Sequence, residues 1–335
     1  MSSGDPSLPL VSVVVPTYQR PALLRRCVEA LLRQGLAPGQ SEILVVDDGH
    51  DDATRDAVQA LAGEFPTAVL HYLRPATGRG PAVARNCGWR AARAPLVAFT
   101  DDDTIPAPDW LAAGLQVMAQ RPWVACGGRV LVPPLSKDPG AAPTDHERMT
   151  QGLATAQFVT ANAFVRRAAL ERVGGFDERF LRAWREDSDL QFRLQRDAGE
   201  VGRCEAAVVV HPVRAEPWGV SLRQQRNVFF DALLYREHPQ RYRAEIRRRP
   251  PWNYHAIVLL SASGLLLALA GRGAAAATCL ALALLLVGLF ARRRLRGTSQ
   301  SPAHVLEMLA TSALIPFLSL YWRLRGAWHF RVWFP

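Results

Sequence analysis

Between residues 11 and 211 the chain alternates short apolar runs with stretches whose apolar positions return at helical spacing. Residues 11–15 are a β-branched run closed by Pro16, and residues 43–46 are a second run that ends in Asp47 and Asp48. Residues 69–73 and 96–99 are a third and a fourth. Runs this apolar suit strands buried on both faces of a parallel sheet. Between them, Leu23, Leu24, Cys27, Val28, Leu31 and Leu32 predict a helix over 21–34, with Gly35 as its C-cap. Residues 53–62 and 80–92 predict two more helices, the second opened by the Gly-rich turn RPATGRGP. Further on the pattern predicts a helix over 110–120 and strands over 124–132 and 158–165. A short helix over 167–173 ends at Gly174 and Gly175. A helix over 187–196 and a strand over 206–210 ending at His211 follow. Strand and helix in turn imply an α/β sheet, mostly parallel, with helices on both faces. Residues 133–150 hold four Pro, and they read as a mobile loop of the kind that covers a site.

After Arg249 the pattern changes. Residues 254–270 and 273–291 are apolar without a charge, each near the lower limit of about 17 residues for a spanning helix. Gly271, Arg272 and Gly273 suit a tight hairpin between them. A third stretch, 305–322, contains Glu307 and Pro316. Its polar residues His304, Glu307, Thr311, Ser319 and Arg323 fall near one helical stripe, so it reads as a helix lying in the interface, with Trp322 and Trp328 at headgroup depth.

Charge sharpens this division. The chain of 335 residues carries +10, and from Arg241 onward thirteen Arg face only Glu245 and Glu307, so residues 1–240 are close to neutral. Nucleic acid is the generic partner of a basic protein. Here the excess borders apolar runs, which favours membrane lipids and argues against nucleic acid. Arg247, Arg248 and Arg249 precede the first apolar run, and Arg292, Arg293, Arg294 and Arg296 follow the second. Two crossings put both clusters on one side, and the positive-inside rule makes that side cytoplasmic. The five Cys have no CxxC and no zinc spacing, as expected of reduced thiols in the cytosol, and the N-terminus shows no secretory signal.

The chemistry gathers at residues 95–108, PLVAFTDDDTIPAP, where an apolar run ends in Asp101, Asp102 and Asp103. Open α/β sheets bind ligands at the C-terminal ends of their strands. In extended backbone Asp101 and Asp103 would share a side. Two carboxylates held together call for a cation, and oxygen ligands suit Mg²⁺ or Mn²⁺. Alone, this triplet is an ordinary acidic turn. Other strand ends and loops add polar groups, however: Pro16, Thr17 and Tyr18; Asp47 and Asp48; His211; and Glu186 and Asp187 at a helix start.

In order, VSVVVPTYQRP, LVVDDGHDDAT, GRGPAVARNCGWRAA, PLVAFTDDDTIPAPDWL, NAFVRRAALERVGGFDERF and WREDSDLQFRLQRDAG resemble the inverting, GT-A-fold family 2 glycosyltransferases over about residues 10–215. The resemblance implies a nucleotide-sugar-binding catalytic domain over 1–240, followed by a basic juxtamembrane linker (241–253), a transmembrane hairpin (254–291) and an interfacial helix with a basic, aromatic tail (302–335). The catalytic domain would sit on the cytoplasmic side of the cell membrane. Asp48 would accept from the nucleobase near Thr17, with Pro16 beside it and Tyr18 lining the base pocket. Asp101 and Asp102 would lie by the donor, Asp101 and Asp103 would be the DxD pair, and Asp103, Asp101 and His211 would hold Mn²⁺ or Mg²⁺. Arg85 and Asn86 match the segment beside the donor phosphates, and Asp187, in its pair with Glu186, matches the general base. His50 departs from the Ser usual in this turn. The implied reaction moves a sugar from a nucleotide-diphosphate donor, with UDP favoured, to the hydroxyl of a saccharide or lipid-linked acceptor. A polyprenyl-phosphate glycosyl synthase, a nucleotidyltransferase and an inactive membrane scaffold are the competing readings. The absence of a basic Gly-rich loop after the first strand weighs against the nucleotidyltransferase, and the intact acids weigh against the scaffold.

Overall fold

The computed structural model describes residues 8–136, 138 and 140–334. The first seven residues, on which the reading of the N-terminus partly rests, lie outside that range. The chain divides into two compact units, residues up to 133 with 152–212, and residues 134–151 with 213 onward.

The first unit follows the alternating pattern. In chain order it holds β1 (Val11–Thr17), α1 (Pro21–Leu32), β2 (Ser41–Asp47), α2 (Asp52–Glu64), β3 (Val69–Leu73), α3 (Pro81–Ala91), β4 (Leu96–Phe99), β5 (Ile105–Pro106), α4 (Trp110–Gln120) and β6 (Ala125–Leu131). The next helix, α5 (Asp145–Gln151), belongs to the second unit. The first unit resumes with β7 (Ala163–Arg166), α6 (Arg167–Val173), α7 (Glu186–Asp197) and β8 (Val201–Val210). The strands form one mixed sheet in the order β3-β2-β1-β4-β7-β6-β8-β5. β1 to β4 are mutually parallel, whereas β7 runs antiparallel to both β4 and β6.

The unbroken apolar runs have a simple cause. Val11, Val13 and Val15 of β1 pack with Leu24, Val28 and Leu31 of α1 and Leu111 of α4 on one face. Val14 packs on the other face with Ala82 and Trp89 of α3 and Leu190 and Leu194 of α7. Burial of each Val or Leu contributes about 1.5–3 kcal/mol, so packing fixes the strands and leaves the loops at their ends free to carry polar groups. The predicted strand over 158–165 is seen only at Ala163–Arg166. The residues before it turn instead, with Asn162 N donating to Val159 O at 3.0 Å. An apolar run does not distinguish a buried turn from a strand.

The second unit is helical: α5, α8 (Val220–Gln224), α9 (Val228–Glu237), α10 (Pro239–Arg241), α11 (Trp252–Leu269), α12 (Gly273–Leu295) and α13 (Pro302–His329). Where the Pro content of 133–150 predicts a loop, α5 forms behind a reciprocal cap. Glu147 N donates to Thr144 Oγ1, and Thr144 N donates to Glu147 Oε2 at 2.7 Å. The α11–α12 hairpin closes on small residues, with Gly264 against Leu280. Leu259, Leu265, Leu266 and Leu269 of α11 and Leu284, Leu285 and Leu289 of α12 stay exposed.

Three helices, α11, α12 and α13, are long and apolar enough to cross a membrane by length and composition. The third differs from the other two. His304, Thr311, Ser312, Ser319 and Arg323 are buried, while Leu306, Leu309, Leu314, Phe317, Leu324 and Trp328 are exposed. Its polar stripe is met by the protein itself: Arg294 Nη1 donates to Thr311 Oγ1 at 2.7 Å and Ser312 Oγ at 3.0 Å. Arg294, counted by charge among the basic residues after the second run, is therefore buried, leaving Arg292, Arg293 and Arg296 exposed. Trp322 is half-buried with its ring edge-on to Phe229, and Trp328 is exposed.

Candidate functional site

The acidic triplet sits at the end of β4, but not as extended backbone. The strand stops at Phe99, and a turn follows in which Thr104 N donates to Asp101 O at 3.2 Å and Thr104 Oγ1 to the same oxygen at 2.7 Å. The turn, rather than strand alternation, brings Asp101 and Asp103 to the same place. There they meet His211, at the end of β8. One ligating atom from each of the three lies within 4.8 Å of the others. His211 Nε2 is 3.5 Å from Asp103 Oδ1, and its buried Nδ1 has no hydrogen-bond partner among the described residues. Two carboxylates and an imidazole with donor capacity in hand fit a divalent cation such as Mn²⁺.

Asp102 points elsewhere. It is buried, accepts from Thr17 Oγ1 at 2.8 Å and lies 3.3 Å from Arg20 Nε. Burial pushes its carboxyl up to about 6, against the pull of Arg20. Arg20 also reaches Asp103 Oδ2 at 3.4 Å. It is a site residue that the pattern did not single out, although it closes the PTYQR segment at the end of β1. Of the other residues there, Tyr18 is 52% exposed, Pro16 is half-buried within the strand, and Thr17 O accepts from Asp48 N at 2.9 Å.

Asp48 braces the Gly-rich turn before α3, since both of its oxygens accept from Gly80 N, at 3.0 and 2.9 Å. Gly80 has φ +109°, and a Cβ there would lie 3.1 Å from Leu181 O, so only glycine fits. Asp47, next in line, is fully buried and accepts from Gly49 N, Asp51 N and Tyr72 Oη.

From α3, Arg85 enters the centre of the site. Its buried guanidinium donates to Asp101 Oδ1 at 2.7 Å and to Glu186 Oε1 at 2.9 Å. Its Nε and Glu186 Oε2 are buried without partners among the described residues. Burial pushes the Glu186 carboxyl up to about 7, with Arg85 opposing. Asp187, at the first turn of α7, is also raised by desolvation, although it accepts from Ser188 N at 2.7 Å. Asn86 is used differently. Its side chain donates to Phe176 O and Glu178 Oε1 and accepts from Phe176 N and Trp89 Nε1, all at 2.7–2.9 Å, so it is fully engaged in holding the 176–178 segment.

Backbone strain also collects here. Of the four non-glycine residues with positive φ among the described residues, Gln19 and His50 lie in the loops after β1 and β2, and Arg185 immediately precedes Glu186. Strain held by surrounding structure clusters at functional sites. The departure His50 therefore occupies a strained turn position without touching a carboxylate contact of the site.

Comparison with known proteins agrees with this geometry. The family model described as Glycosyl transferase family 2 matches residues 12–174, and that described as Glycosyl transferase family group 2 matches residues 96–324. A validoxylamine A glucosyltransferase of Streptomyces hygroscopicus subsp. limoneus is 30% identical over 258 residues, covering 68% of this chain and 54% of the relative. Glycosyltransferase AglE of Haloferax volcanii is 28% identical over 230 residues, covering 66% of this chain and 72% of the relative. The chain thus spans about half the length of the first of these. In fold it is similar to mannosyltransferase PcManGT from Pyrobaculum calidifontis, solved with GDP-Man and Mn²⁺, with a TM-score of 0.56 at 21% identity over 97% of this chain and 89% of that one. With two thirds of its length matched by a single family model, an acidic strand end and a GT-A sheet, the chain belongs to the family 2 glycosyltransferases.

Proposed function

We propose that this protein is a membrane-associated, inverting glycosyltransferase that moves a sugar from a nucleotide-diphosphate donor to an acceptor hydroxyl. The observation that carries the reading is the convergence of Asp101, Asp103 and His211 at strand ends beside Arg85. Bound there, Mn²⁺ or Mg²⁺ would neutralise the leaving pyrophosphate as a Lewis acid. Asp48, Thr17 and Tyr18 hold the nucleoside, with UDP favoured. Arg85 keeps Asp101 and Glu186 charge-matched and has Nε left for a phosphate oxygen. Asn86 acts one step back, by fixing the 176–178 segment. Asp187 takes the proton of the acceptor hydroxyl as that oxygen bonds to the anomeric carbon. The bond to the departing nucleotide breaks on the opposite face, which inverts the centre without an enzyme nucleophile. The raised carboxyl of Asp187 makes it a better proton acceptor near neutral pH than an ordinary aspartate.

The outward leucines of α11 and α12 support a membrane hairpin. For α13, the inward polar stripe and outward apolar face support a helix in the interface, its polar groups satisfied by protein. The catalytic domain is assigned to the cytoplasmic side.

The deciding experiment is acceptor-free hydrolysis of UDP-, GDP- and dTDP-sugars by the full chain in Mn²⁺. Nucleotide release from at least one donor, abolished by chelator, is expected. No release from any donor would contradict the reading.

A further inference from the structure

The second unit encloses a cavity of about 180 Å³ between α5, the 215–217 segment, α8 and α13. Two histidines from elements far apart in sequence line it, His146 of α5 and His304 of α13. His146 Nδ1 and His304 Nε2 are both buried, and among the described residues neither has a hydrogen-bond partner. His304 as a whole is only 6% exposed. Leaving a buried polar group unpaired costs about 1–3 kcal/mol. Two such groups facing one cavity mark a place built for a polar occupant, and the volume exceeds what a single water fills.

The lining decides what kind of occupant. Asp145 is matched by Arg294 at 2.8 Å and Arg148 at 3.3 Å, and Glu216 by Arg223 at 3.3 Å. Glu307 has no cation within pairing distance among the described residues and accepts only from Gly219 N, at 2.8 Å. An anion entering the cavity would meet this unmatched carboxylate. A metal ion fits no better, because the cluster of three ligating atoms within 4.8 Å found among the described residues is Asp101, Asp103 and His211. What remains is a neutral, hydroxyl-rich ring. Its hydroxyls would bond the two imidazoles, Glu307 and Gln224, and its C–H face would rest on Met149 and Met308.

We infer that this cavity is a binding site for one sugar or cyclitol unit, on the acceptor side of the reaction. The acceptor assignment rests on the transferase reading; the binding site itself does not.

The test uses the full chain in detergent and the methyl glycosides of glucose, mannose, galactose and N-acetylglucosamine as probes. Saturation-transfer NMR reads binding, and acceptor-free donor hydrolysis reads the first unit separately. At least one glycoside should give a transfer signal that excess UDP with Mn²⁺ does not displace. His304→Gln should weaken binding by about tenfold, the worth of one good hydrogen bond. Gln224→Ala, on a short helix and less prone to disturb folding, should weaken it in the same direction. Both variants should keep donor hydrolysis. Binding unchanged in both variants, or no signal from any glycoside in protein that hydrolyses donor, would overturn the site while leaving the transferase reading intact. Binding that behaves as expected in protein that hydrolyses no donor would support the site while the transferase reading fell.

Discussion

Arg85 Nη2 and Asp101 Oδ1 are joined by a 2.7 Å hydrogen bond, and the same guanidinium holds Glu186 from its other side. One buried cation therefore links the proposed metal site to the helix that carries the proposed base. Removing one partner of a buried ion pair typically costs about 3–5 kcal/mol, because the other charges stay behind unpaired. Arg85→Ala should lower stability by that order and abolish turnover. Arg85→Lys keeps the charge but loses the planar fork, and it should fall between wild type and Ala. Denaturant titrations of the three proteins check the order; equal stabilities would show that the pairing carries no weight.

Asp187→Asn should leave donor binding intact and reduce transfer by about 10²–10⁴, the usual worth of a general base. Nucleotide titrations alongside rate measurements separate the two effects. Collapse of donor affinity would make Asp187 a binding residue. A barely changed rate would mean an acceptor already ionised, as a lipid phosphate is.

Glu186 gives a pH signature. Its folded-state carboxyl stands at about 7, above the 4.5 usual for glutamate. A raised carboxyl contributes stability that is fully present below the lower value and is lost as pH rises through the upper one. In chelator, the melting temperature of wild type relative to Glu186→Gln should therefore fall between about pH 5 and pH 8, since Gln does not titrate. A difference that rises over this window would reverse the assigned direction.

Leu309 and Leu324 lie on the exposed apolar face of α13. Changing either to Arg should weaken membrane association, because a charge on a lipid-facing position costs about 2–4 kcal/mol near the midplane and less at the interface. Flotation of vesicles with bound protein checks this. If α13 lies in the cytoplasmic interface, a tag after Pro335 should be protected in intact cells, and access from outside would mean a third crossing.

The sequence and structure agree most closely where burial is local. The helix at Trp110–Gln120 and the strand at Val69–Leu73 are where periodicity places them. The approach of Asp101, Asp103 and His211, by contrast, depends on which strands become neighbours. Local pattern does not encode that, so the ordered motifs supplied it. Arg20 went unnoticed for the same reason: it meets Asp102 and Asp103 because β1 and β4 pair in parallel. Helix α5 was legible in principle, because Thr144 and Glu147 have capping-box spacing, but the surrounding prolines masked it. The inward polar stripe of α13 was visible as a stripe, but its partner Arg294 lies on another helix.

The central claim is that Asp101, Asp103 and His211 hold the cation on which transfer depends. Its most direct test is paramagnetic resonance of free Mn²⁺ titrated with the full chain in the presence of UDP or GDP. Wild-type protein should deplete the free-ion signal, and Asp103→Asn, folded by its circular dichroism, should not, with turnover lost in parallel. Undiminished Mn²⁺ binding by Asp103→Asn, or full wild-type turnover in chelator, would contradict it.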